Sequence, residues 1–89
     1  ERGFEARKAY EAALVRGRAS GLPGGRAAAS NAALNLGSVL EGEESDAVRL
    51  QWFEVAKALG RSSGTPLGQE CAVQAERAIA RMAGGGEEH

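Results

Sequence analysis

A repeat with a period of 43 residues is the feature that most constrains how this chain folds. Shifted along itself by 43 residues, the stretch 10–40 lies over the stretch 53–83 without a gap. Both copies contain the pattern Gly-Arg-x-Ser-Gly-x-Pro-x-Gly, at 17–25 and again at 60–68, and both open with an aromatic residue. A fixed period of about 20–50 residues is typical of repeat proteins, whose units bury their faces against their neighbours. The chain is therefore expected to fold as two similar units that cover one another.

The segments beside these turn patterns have the period of helices and lack the alternation of strands. In 45–59 the apolar residues recur every three or four positions, Ser45 suits an N-cap, and Gly60 suits a helix C-terminus. In 66–83 one apolar face follows a threonine cap and a proline at the first helical position. By the same reasoning Gly17 is expected to end the first helix.

We therefore predict an all-α fold in which one domain, 1–83, contains four helices at approximately 4–16, 24–40, 46–59 and 66–83. The short connections favour antiparallel neighbours. The tail, 84–89, is rich in glycine and polar residues and is expected to be flexible. The chain begins at Glu1 without methionine, which indicates a fragment or a trimmed protein, and His89 is either native or part of a purification tag.

The core of such a fold is expected to be shallow. Alanine supplies much of the apolar 43% of the chain, and a buried alanine removes little area from water. A chain of this length buries only about two thirds of the surface that its unfolded form exposes, so its stability margin is narrow. Cys71 lies on the apolar face of the last helix and is predicted to be a small core residue. We expect most of the aromatic residues inside as well: Phe4, Tyr10, Trp52 and Phe53.

Charge and cysteine content argue against several kinds of partner. The net charge is −1 and no segment carries five like charges in a row, so overall charge does not indicate a nucleic-acid partner. The uncharged stretches are far shorter than the ~20 residues that span a bilayer, so no membrane partner is expected. Cys71 is the only cysteine, which excludes an internal disulfide and leaves a Cys/His metal site without ligands. A single cysteine is compatible with the cytoplasm or another reducing compartment.

Catalysis and cofactor binding are not expected either. The only histidine is in the tail, and no nucleophile and base have a defined geometry. The stretch 21–26, GLPGGR, lacks both the preceding strand and the lysine followed by Ser/Thr of a phosphate-binding loop. We therefore predict that the chain is no enzyme and takes no cofactor.

The stretch 32–59, AALNLGSVLEGEESDAVRLQWFEVAKAL, resembles a tetratricopeptide repeat. In that family the first helix carries a leucine-glycine pair, and the second carries an alanine, an aromatic residue four positions on, and a further alanine. The matching residues here are Leu36, Gly37, Phe53 and Ala56. Arg49 occupies the place of the first alanine, and the unit has 43 residues where the family usually has about 34. The resemblance implies helical hairpins stacked as a short α-solenoid, with a HEAT-like pair or a four-helix bundle as alternatives.

The resemblance also implies where a partner binds. Some members of the family hold a C-terminal carboxylate with asparagines and basic residues on their inner helices. Asn35 stands at one of these asparagine positions, with Asn31 one turn before it. Their counterparts in the last helix, Gln74 and Ala78, are not basic, so a chaperone-tail clamp is not expected. Two arginines spaced i, i+4 project from that helix, where ordinary solvation is the competing explanation. We predict a partner-binding groove lined by Asn31, Leu34, Asn35, Ser38, Arg77 and Arg81.

The resemblance thus predicts a protein–protein interaction or scaffold module that binds a peptide or a partner subunit through stacked helix faces. Because two units leave both end faces of the stack apolar, self-association or packing on the rest of a longer chain is expected too. The alternative function is a helical-repeat nucleic-acid-binding module. Its basic residues would come from the N-terminal half: Arg2, Arg7, Lys8, Arg16, Arg18 and Arg26.

Overall fold

The protein is built from α-helices. The computed structural model describes residues 2–42 and 44–84, with side chains from Glu5 onward. Its helices are α1 (Arg2–Ser20), α2 (Pro23–Val39), α3 (Asp46–Ser63) and α4 (Pro66–Gly84). No strand occurs in these two ranges, so the prediction of an all-α fold with four helices is confirmed.

Helices α3 and α4 begin at the predicted residues, 46 and 66, whereas α1 and α2 begin at 2 and 23, before the predicted 4 and 24. Ser45 caps α3, since its Oγ accepts a hydrogen bond from the Val48 amide at 3.3 Å. Thr65 does the same for α4, with 3.0 Å between its Oγ1 and the Gly68 amide nitrogen. Helix α2 begins at its proline, which loses no hydrogen bond there because the first amides of a helix have no partner within it.

The predicted ends of α1 and α3, at 16 and 59, are wrong, because both helices run on to Ser20 and Ser63. The chain leaves each helix at the next residue, Gly21 or Gly64, whose φ angles of +69° and +71° lie in the left-handed region that favours glycine. Gly17 therefore lies inside its helix, as Gly60 does.

These inner glycines allow the following helix to cross closely. A Cβ atom on Gly17 would collide with the Gly25 carbonyl oxygen and lie 2.7 Å from the Cβ of Ala29. A Cβ atom on Gly60 would collide with the carbonyl oxygen of Gly68, the counterpart of Gly25. The repeated pattern therefore encodes a repeated close crossing, α1 over α2 and α3 over α4.

The serine of the pattern closes each turn in the same way. Ser20 Oγ donates to the Gly17 carbonyl at 3.0 Å and accepts from the Leu22 amide at 3.2 Å. Ser63 Oγ donates to the Gly60 carbonyl at 2.9 Å and accepts from the Thr65 amide at 3.1 Å. The two units thus share their turn geometry as well as their turn sequence.

Helix α2 is at the centre of the packing. It contacts α1, α3 and α4, and α3 also contacts α4. Within 2–42 and 44–84, α1 contacts neither α3 nor α4. In a closed bundle of antiparallel neighbours the first helix meets the last, so these helices form an open stack.

The contact between α2 and α3 depends on small residues of α2. A Cβ atom on Gly37 would lie 2.6 Å from the nearest ring atom of Phe53, so the missing side chain makes room for the ring. Two turns earlier, Ser30 is fully buried and its Oγ donates to the Ala56 carbonyl at 2.6 Å. Both contacts hold the axes of α2 and α3 close together.

The core is made mostly of alanine, with Leu36 and Leu40 fully buried at 0% exposure. Cys71 is 2% exposed, which confirms it as a core residue. Of the aromatic residues, Phe53 is 2% exposed, whereas Tyr10 and Trp52 pack on the core only partly buried. Adjacent helical residues point about 100° apart, so Trp52 cannot follow Phe53 fully inside. The side chain of Phe4 lies outside the described residues.

Helix α4 extends to the first residue of the predicted tail, Gly84, and residues 85–89 lie outside the described part. None of the helices described has both the length and the apolar character needed to cross a bilayer.

Candidate partner-binding groove

A groove runs between α2 and α4. We call it the α2–α4 groove. Its upper part, a depression of about 270 Å³, has Leu34, Asn35 and Ser38 on one wall and Gln74, Arg77, Ala78 and Arg81 on the other, with Phe53 between them. A second depression of about 290 Å³ adjoins it and adds Glu41, Arg49 and Met82. Ser38, Phe53, Ala78 and Arg81 line both depressions, so the two are continuous.

Five of the six residues predicted from the sequence line this groove: Leu34, Asn35, Ser38, Arg77 and Arg81. The sixth, Asn31, is exposed but does not line either depression. It lies where α2 meets α4, with its Oδ1 4.0 Å from the Sγ of Cys71. Their role in binding a partner stays a prediction.

Two arginines on the α4 wall have no partner within the part of the chain that the structure describes. Arg77 and Arg81 are exposed and form no ion pair or hydrogen bond with any part of the chain that the structure describes. Elsewhere on the surface acidic partners are close at hand, as between Arg61 and Glu76. The guanidinium groups in the groove therefore keep their hydrogen-bond donors available.

Arg49 lies at the lower end of the groove and is held in place. Its Nε donates to the Gly37 carbonyl at 2.8 Å, and its Cζ stands 5.9 Å from the centroid of the Phe53 ring. Asp46 lies 3.6 Å from its Nη1. Only 14% of the Arg49 side chain is exposed, so this charge is fixed at the edge of the core.

The groove is positively charged although the whole chain is not. Its lining contains three guanidinium groups, from Arg49, Arg77 and Arg81, and one carboxylate, from Glu41. Leu34, Phe53 and Ala78 line it but are 9% exposed or less, so the surface that the groove offers is mostly polar. Amide and guanidinium donors along its walls suit a peptide whose side chains include carboxylates.

Sequence reasoning missed Arg49, Gln74, Glu41 and Met82 as groove residues. Gln74 could have been found from the repeat, because it is the counterpart of Asn31 and lies one turn before Ala78. Arg49 gave no such signal. Its place depends on how α3 crosses α2, which spacing along the chain does not reveal.

Cys71 is a structural and not a reactive residue. Burial raises the pKa of its thiol above the ordinary value of 9.0; a hydrogen bond with Ser30 lowers this pKa by less, and the charge of Glu70 raises it by the smallest amount. A thiol of this kind stays protonated at neutral pH and is a poor nucleophile. No group of three or more His, Cys, Asp or Glu side chains in the described ranges could hold a metal ion.

Two of the basic residues of the N-terminal half, Arg7 and Arg26, are bound within the chain. Arg7 pairs with Glu11 at 3.2 Å and with Glu44 at 3.4 Å. Arg26 donates to the Ser62 carbonyl at 3.5 Å. Lys8, Arg16 and Arg18 are exposed on α1, and the side chain of Arg2 lies outside the described residues.

Comparison of the chain with family models, with curated proteins and with solved structures found no match in any of the three. The function is therefore argued from the groove.

Proposed function

We propose that the chain is a non-catalytic protein-interaction module that binds a peptide segment of a partner protein in the α2–α4 groove. The observation that carries the proposal is the pair Arg77 and Arg81, which lie one turn apart on one wall of the groove and have no partner among the described residues. Unpaired guanidinium groups that converge on a depression favour a ligand with carboxylates.

The proposed fold family is the tetratricopeptide one, with stacked hairpins forming a short solenoid. Gly37 supports it, because it admits the ring of Phe53 as the leucine-glycine pair of that family admits an aromatic residue. The open stack supports it too, since α2 and α4 contact each other along the side where the groove lies. Inner helices of such a solenoid form its concave binding surface.

The proposed ligand is an extended segment that carries Asp or Glu. Arg77 and Arg81 would bind its carboxylates, and Asn35 and Gln74 would hydrogen-bond its main chain, although the Gln74 Nε2 also donates to Glu70. The Ser38 hydroxyl donates its proton to the Leu34 carbonyl at 3.2 Å, so Ser38 would act only as an acceptor.

Selection from a display library of random short peptides, followed by fluorescence anisotropy with the enriched peptides, tests the proposal. We expect enrichment of Asp and Glu, and binding that weakens as salt concentration rises. The double variant R77A/R81A should weaken binding by about tenfold or more, because both charge-assisted contacts are lost.

The matched control is R16A/R18A, which removes two exposed arginines from α1 and leaves the groove intact. It should bind the selected peptides as the unchanged protein does. Peptides that bind R77A/R81A as well as the unchanged protein would contradict the proposal. If a single-stranded oligonucleotide bound the unchanged protein tightly and did not bind R16A/R18A, that result would instead favour the nucleic-acid alternative.

A further inference from the structure

The outer side of α4 carries an uncovered apolar surface. A depression of about 210 Å³ lies between α3 and α4, lined by Leu50, Ile79 and Met82 with smaller and acidic residues around them. Beside it Val73 is 43% exposed, and Ala80 and Ala83 are exposed too. We call the set Val73, Ile79, Ala80 and Ala83 the α4 outer face. Glu76, the counterpart of the buried Ala33, lies among them with its carboxylate paired to Arg61.

The same positions one repeat earlier are covered by α3. The counterparts of the α4 outer face on α2 are Ser30, Leu36, Gly37 and Leu40, all of them buried. Ser30 donates to the Ala56 carbonyl of α3, and Gly37 receives the ring of Phe53. The chain thus shows what kind of element covers this face, namely a helix in the place that α3 takes on α2.

The 43-residue register makes α1 the counterpart of α3. Tyr10 corresponds to Phe53, Ala13 to Ala56 and Gly17 to Gly60. Among the described residues α1 packs on no helix but α2. In the register of the α3 contact, Ala9 on α1 is exposed, and Tyr10 and Ala13 are only partly buried.

We infer that the protein associates head to tail, with α1 of one copy packed on the α4 outer face of another, as α3 packs on α2 within the chain. Ala80 has a methyl group where Gly37 has none, so α1 lies farther from α4 than α3 lies from α2. The two surfaces in contact are different. Each added copy therefore leaves α1 free at one end of the assembly and the α4 outer face free at the other, so the assembly does not close. The α4 outer face shares no residue with the groove, although Met82 lines both the groove and the depression beside that face. The inference does not depend on the proposed function.

Analytical ultracentrifugation of two charged variants tests the inference. Ala80→Glu places a charge on the α4 outer face. Ala9→Glu places a charge on α1 at an exposed position, since Ala9 is the counterpart of Trp52 on α3. The unchanged protein should grow through dimers to larger species as its concentration rises. Either variant alone should associate at least about tenfold more weakly, because the buried charge has no partner.

An equimolar mixture of the two variants gives the decisive measurement. Each variant keeps the surface that the other has lost, so the mixture should form a complex of two chains and nothing larger. Ala58→Glu, at an exposed position of α3, is the control and should assemble as the unchanged protein does. Circular dichroism should show that all three variants keep their helices.

Two results would overturn the inference. A protein that stays monomeric up to about 1 mM does not use this face for a second copy, which leaves the face to a different helix. A mixture that forms no two-chain complex while the unchanged protein assembles indicates a symmetric contact through other residues.

Discussion

At the scale of single residues, glycine decides how closely the helices approach. The two turn patterns each contain glycines with different tasks, and only Gly21 and Gly64 need a positive φ angle. Gly60 is needed for a different reason. An added Cβ atom there would collide with the Gly68 carbonyl oxygen and lie 2.9 Å from the Ser30 Oγ. The close crossing of α3 with its neighbours therefore tolerates no side chain at this position.

We expect Gly60→Ala to lower the free energy of unfolding by about 1–3 kcal/mol, because the methyl group forces α3 and α4 apart. Urea unfolding followed by circular dichroism measures the change. Gly24→Ala is the matched control, since nothing lies within 4 Å of its added Cβ atom. That variant should be as stable as the unchanged protein or more stable by about 0.5 kcal/mol. Equal effects of the two substitutions would argue against the close crossing.

At the scale of helices, Arg49 completes the end of α2. The last carbonyl groups of a helix lack partners within it. Leu36 and Ser38 accept hydrogen bonds from the amides that follow α2, whereas the Gly37 carbonyl accepts from the Nε of Arg49 on α3. One side chain thus satisfies a helix end and ties two helices together.

Arg49→Ala should lower the free energy of unfolding by about 1.5–3 kcal/mol, since it removes a charge-assisted hydrogen bond and leaves the Gly37 carbonyl without a partner. Thermal unfolding measures the loss. Arg81→Ala, which removes an exposed arginine of the same groove, should change stability by less than about 0.5 kcal/mol. If Arg49→Ala were as stable as Arg81→Ala, the contact with Gly37 would have no structural importance.

The helices could be predicted from the sequence better at their starts than at their ends. Ser45 signals the start of α3 through a local hydrogen bond, which depends only on neighbouring residues. The end of α3 could not be placed, because Gly60 and Gly64 are both suited to a helix C-terminus and only the packing of α4 distinguishes them. The end of α3 is therefore set by a tertiary contact, which the sequence does not show.

The groove was predictable in the same partial way. Arg77 and Arg81 could be placed together because residues four apart share one side of a helix. That Asn31 would lie outside the groove depends on the rotation of α2 against α4, which carries it toward Cys71 instead. Helix rotation is set by the packed core and has no local signal.

At the scale of the whole molecule, a shallow core limits how much change the fold tolerates. Alanines predominate among the buried residues, so the few large ones carry much of the burial. Domains of this kind are stable by about 5–15 kcal/mol in total. The loss of one large core side chain should remove a considerable fraction of that free energy.

We expect Leu36→Ala to cost about 2–5 kcal/mol, because Leu36 is fully buried and its loss leaves a cavity. Leu67→Ala removes a side chain that is 56% exposed and should cost less than about 0.5 kcal/mol. The midpoints of urea unfolding of the two variants provide the comparison. A small effect for both would show that the core collapses around the missing side chain.

One methionine lies between the α2–α4 groove and the α4 outer face. Met82 lines the lower end of the α2–α4 groove and also the depression beside the α4 outer face. Its flexible side chain occupies one rotamer at a time. A peptide in the groove or a copy on the α4 outer face would therefore select a rotamer that also shapes the other surface. The peptide and the neighbouring copy would then be thermodynamically linked, each changing the affinity of the other by the same factor. In such a protein, the concentration of the protein itself would change the affinity of each copy for its peptide.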